Sequence, residues 1–142
     1  MPDLDLKAAQ RMTEAAITFA QENSLRLAIA VLDGGGNVVL VTRMDGCNFL
    51  SPEIARGKAF GSAAWKLPSA ELNARFGANP AAAAGMVGIS SSRVTPVQGA
   101  LPIWDGMRCL GAIGVSGARS DEDEAAARAG LLAAGFSATA AS

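Results

Sequence analysis

Between Leu4 and Asn23, apolar residues fall at Leu6, Ala9, Met12, Ala16, Phe19 and Ala20, three and four apart. That spacing puts them on one face and predicts a first helix. Arg26 to Leu32 and Val38 to Thr42 are instead aliphatic and β-branched runs, split by Asp33-Gly34-Gly35-Gly36-Asn37, whose residues accept positive φ in a tight turn. They read as a hairpin. Ser51-Pro52-Glu53 supplies an N-cap, a proline for the first helical position and an acid near the positive helix end, so a second helix is expected to run to Trp65. Pro68 and Ser69 interrupt it before a short helix through Phe76, and Asn79-Pro80 caps another short run from Ala81 to Gly85.

The second half repeats the alternation of strand and helix. Val94 to Val97 and Ala100 to Trp104 read as short strands, the first an edge or irregular one because Pro96 cannot donate to a ladder. Asp105-Gly106 marks a hairpin turn, and Arg108 to Val115 is a further strand with glycines inside it. Ser120 then caps a last helix with Ala127, Leu131 and Ala134 on its inward stripe. The acids from Asp121 to Glu124 complement the dipole of that helix, an ordinary reason for such a run. Strands joined by tight turns pair antiparallel and need helices over their faces. The expectation is one α+β domain over residues 1–142.

Composition narrows what such a domain can do. Half the residues are hydrophobic, yet alanine swells that share and only five phenylalanines and two tryptophans are aromatic, so the core should be thin and closely packed. Twelve basic and thirteen acidic residues leave a net charge of -1 with no long run of either sign, which argues against nucleic acid as a partner. No apolar stretch reaches the roughly 18 to 20 residues of a membrane span. The N-terminal MPDLDLKAAQ lacks the basic-then-apolar order of a secretory signal. A cytoplasmic location without membrane partners is the default expectation. Cys47 and Cys109 belong to no metal-binding spacing, and the chain has no histidine, so no metal site is expected and the commonest general base and haem ligand are both missing.

Three segments resemble the GlcG/HbpS family, also called the haem-degrading-domain family. The first helix with Val31-Leu32-Asp33 and Gly36-Asn37-Val38 is similar to the family's opening. Thr42-Arg43-Met44-Asp45-Gly46-Cys47, followed by Ser51, Ala55, Lys58 and Ala59, resembles its central signature. Gly99 to Ile103 and the Gly111 to Gly117 run, with the acidic helix after them, resemble its third. Two positions depart from the pattern: Ala100 stands where the family has a second glycine, and Cys47 where it has alanine. The resemblance implies a profilin-like antiparallel sheet of about five strands flanked by helices, and homo-oligomers. It also implies binding of haem or another tetrapyrrole in some members and a place in small-molecule catabolism in others.

Arg43 and Asp45 are expected at the end of the second strand beside the Gly46 turn, with Lys58 about two helical turns after Ser51. Such an arrangement would gather a carboxylate and two cations around an anionic small molecule. The plainer alternative is an ion pair that only fixes the turn. Cys47 is either a small buried hydrophobe or, with a lowered pKa, a thiolate. Gly99, Pro102 and Ser116 would line the ligand together with Thr95, which is also a candidate oxygen ligand for iron. Gly111, Gly114 and Gly117 are not placed as a dinucleotide fingerprint, because Gly111 falls within a strand. The sequence therefore supports a small-molecule-binding protein, with haem as one candidate ligand. The alternative is a cofactor-free enzyme of proton-transfer, isomerase or lyase type acting on a small carbonyl or carboxylate metabolite, with Lys58 or Asp45 moving the proton and Arg43 holding the anion. A third reading is an assembly unit whose glycine-rich face makes subunit contacts.

Overall fold

A computed structural model describes residues 4–142. The elements run α1 (Leu6–Glu22), β1 (Ala28–Asp33), β2 (Val38–Arg43), α2 (Ser51–Trp65), α3 (Ser69–Gly77), α4 (Pro80–Ile89), β3 (Ala100–Asp105), β4 (Arg108–Ser116) and α5 (Ser120–Ala133). All pairings in the sheet are antiparallel, in the order β2-β1-β4-β3. Both hairpins close as their turn residues predict, and β1 and β4 meet at the centre. The α+β expectation holds.

Four strands form where about five were expected. Val94 to Val97 makes no ladder: the Thr95 amide donates to the Gly57 carbonyl on α2, the Val97 amide turns back to the Thr95 carbonyl, and Pro96 has no amide to give. Two helix starts also differ by one residue from the sequence reading. Ser51 and Ser120 are the first helical residues, and the preceding Leu50 and Arg119 occupy the cap positions. At α1 and α4 the caps are side chains, with Asp5 accepting from the Ala8 amide and Asn79 from the Ala82 amide.

Alternation along the strands divides the interior into two layers. Leu27, Ile29 and Val31, with Leu101, Ile103, Ile113 and Val115, face α1 and α5 and form the main core. Leu32 and Ala112 face the other way, against Ala59, Ala63 and the half-buried Phe60 of α2. The α2 backbone lies so close to β4 that a Cβ on Gly114 would fall 2.9 Å from the Ala59 amide nitrogen. Small residues thus replace bulk with proximity. α4 differs from the other helices: its sequence is wholly apolar, yet none of its residues is buried.

Candidate functional site

The sequence-predicted residues separate into two groups. Arg43, Asp45, Gly46 and Cys47 gather where β2 ends, beside the C-terminal end of α1. Lys58, Gly99 and Ser116 lie where β4 ends, at the same end of the sheet, since Ala28 pairs with both Arg43 and Ser116, but Lys58 is turned into the interior between the two layers of helices.

Two adjoining grooves flank the first group. One, of about 550 Å³, is lined by Ile17, Gln21, Leu25, Arg26, Thr42, Arg43, Met44 and Asp45. The other, of about 620 Å³, is lined by Arg26, Gly46, Cys47, Asn48, Gly117, Ala118, Arg119 and Glu122. Ser24, Leu25 and Arg26 belong to both. The Met44 amide donates to the Leu27 carbonyl, and the Met44 Sδ accepts from the Leu27 amide at 3.4 Å, which fixes the strand as it leaves the sheet. Arg43 Nη1 donates to the Cys47 carbonyl at 2.8 Å, so one guanidinium is anchored on the turn. Arg26 lies over Gly46, whose φ of +79° suits glycine. Among the described residues neither Arg26 nor Arg43 has an ion-pair partner, and Asp45 pairs with no cation. Arg119 is committed elsewhere, bonded to Asp121 at 2.8 Å. Cys47 is buried, with its sulfur turned toward Gly117.

Lys58 does not join Arg43 and Asp45. Its Nζ is buried and donates to both Asp123 Oδ2 and the Val115 carbonyl, each at 3.0 Å. Asp123 accepts a further bond from the Ala118 amide at 3.0 Å. Burial raises the Asp123 carboxyl above its ordinary value, and Lys58 and the Ala118 amide offset only part of that rise. Gly99, at φ +140°, lies where a side chain would strike Lys58 Nζ. Ser116 and Pro102 are buried on strands, and Thr95 packs on Gly57 of α2. The acidic run therefore has two roles, since Asp121, Glu122 and Glu124 stand at the helix start while Asp123 turns inward.

An antiparallel sheet held between α1 and α5 on one face and α2 on the other makes this an α+β fold. The match that follows from it is specific: the chain belongs to the HbpS-like family, described as haem degrading protein HbpS-like, whose model covers residues 4–132. An uncharacterized 15.0 kDa protein from the dhaT-dhaS intergenic region of Citrobacter freundii is 29% identical, over 90% of this chain and 89% of that one. The corrinoid adenosyltransferase PduO of the same organism is 27% identical over 84% of this chain, which spans only 36% of that enzyme's length. Among solved structures, a double mutant of Streptomyces reticuli HbpS is 30% identical with a TM-score of 0.82, over 93% of this chain and 87% of that one. A haem complex of PduOC, 24% identical, shares the fold with a TM-score of 0.86 over 96% of this chain and 98% of that one. No described helix is long and apolar enough to cross a membrane. Among the described residues no cluster of three metal-ligating side chains occurs.

Proposed function

We propose that the chain is a small-molecule-binding protein whose ligand is an anionic, partly apolar molecule of the tetrapyrrole class, seated in the groove beside Arg43. The observation that carries this reading is the pair of guanidiniums, Arg26 and Arg43, on a groove whose floor includes Ile17, Leu25 and Met44. Arginine grips a carboxylate through two parallel hydrogen bonds, and an apolar floor rewards a flat hydrophobic body. Family membership and the haem complex of PduOC support the tetrapyrrole class.

The fit to haem is a fit to its carboxylates and its plane. With no histidine in the chain, iron ligation would fall to Met44, whose thioether already accepts from the Leu27 amide, or to the buried Cys47. The metal therefore adds little to the reading. Absorbance titration with hemin, and fluorescence titration with metal-free protoporphyrin, should both saturate, with affinities within about tenfold of each other. A featureless response to both removes the tetrapyrrole class.

The enzymatic alternative has less support in the geometry. Lys58 spends its protons on Asp123 and Val115 and lines neither groove, so its position suits a structural cation better than a base facing substrate. Self-association, the second part of the proposal, is favoured by α4, which is apolar throughout with Ile89 82% exposed. Sedimentation of the wild type against Ile89→Glu tests it, a shift toward smaller species being expected.

A further inference from the structure

We infer that Arg26 is a specificity-determining residue, and that the site selects ligands carrying two carboxylates, one for Arg26 and one for Arg43. This deepens the binding reading and rests on it. Nothing in the spacing of the sequence marks Arg26, which directly precedes the first core residue of the strand, Leu27. Its significance comes from where the chain folds it.

Two guanidiniums converge on one turn. Arg43 reaches the Cys47 carbonyl at 2.8 Å, and Arg26 covers the adjacent Gly46, with its Nη1 2.7 Å from where a Cβ on that glycine would stand. Gathering like charges costs energy unless something neutralises them. Asp45 lines the groove with them, yet among the described residues it pairs with neither, and the Arg26 guanidinium has no hydrogen-bond partner there. Most of the ten donors of the two guanidiniums are left for a partner of opposite charge. One carboxylate satisfies one fork and leaves the other bare, whereas two satisfy both.

The shape of the surface agrees with the charge count. Arg26 belongs to the walls of both grooves, so a body extending from one to the other must pass it, while Arg43 lines only the first. A broad, flat molecule with two carboxylates along one edge meets both arginines at once. A compact monocarboxylate meets one.

Hemin and its dimethyl ester, titrated by absorbance into the wild type and into Arg26→Met, decide the matter. The wild type should prefer the free acid by about a hundredfold, about tenfold for each of the two carboxylate–arginine contacts that esterification removes. Arg26→Met should lower that preference about tenfold while leaving ester affinity unchanged. Arg26 is exposed, so the variant should fold, and matching circular dichroism verifies that it does. Equal wild-type affinity for acid and ester, or the same preference in both proteins, overturns the inference and leaves the binding reading intact. Saturable binding of neither compound overturns both.

Discussion

Lys58 Nζ and Asp123 Oδ2 stand 3.0 Å apart in the interior and join helices that lie on opposite faces of the sheet. The bond passes the end of β4, where the Val115 carbonyl takes a second Lys58 proton. Removing one member leaves the other charge buried without compensation, which typically costs about 3–5 kcal/mol. Lys58→Ala is expected to lose that much in urea unfolding, whereas the double variant Lys58→Met, Asp123→Leu should recover most of it. Full additivity of the two single losses would show that the residues do not act as a pair.

The same pair sets a pH dependence. In the unfolded chain Asp123 titrates near the ordinary value of about 3.9, and in the fold burial raises it. Across the interval between those values the native state holds the proton more firmly than the unfolded chain does. Stability from this group is therefore complete below the unfolded value and is lost as pH rises through the folded one. Asp123→Asn abolishes that titration. Its stability deficit relative to the wild type should be greatest below about pH 4 and shrink toward neutrality, as measured by unfolding at a series of pH values. A deficit that grows with pH would mean that Lys58 outweighs burial.

Gly99 serves the pair by leaving room for it. A Cβ there would lie 2.7 Å from both Lys58 Nζ and the Val115 carbonyl oxygen, on a backbone at φ +140°. Gly99→Ala should destabilise by at least about 2 kcal/mol, a fall of about 7 °C in the midpoint of calorimetric unfolding. The neighbouring Ala100, in place of the family's second glycine, is already accommodated on the α2 side of β3, buried with its amide bonded to Ser69 Oγ at 2.8 Å.

Local chemistry was legible in the sequence and long-range convergence was not. Helical spacing located α1 and α5, and the Gly-rich and Asp-Gly turns located both hairpins, because those signals act between neighbours. The Val94 to Val97 strand failed since a backbone amide there goes to Gly57, 38 residues earlier, a partner no local pattern reveals. Lys58 was expected beside Arg43, on the assumption that residues of one motif share one site. Its partner Asp123 is 65 residues away and was absorbed into the acidic helix start. One signal could have separated it: Asp123 precedes Ala127 and Leu131 by four and eight, and so extends their inward stripe. Arg26 carried no comparable mark, since its role depends on β1 beginning beside the turn that follows β2.

The binding proposal turns on location, and backbone amide shifts recorded by NMR during titration with protoporphyrin report location directly. The account predicts that the perturbed amides centre on residues 24–26 and 42–48, with Lys58, Gly99 and α4 undisturbed. Perturbations centred on Lys58 and Gly99, with the Arg26 and Arg43 region unmoved, would contradict it.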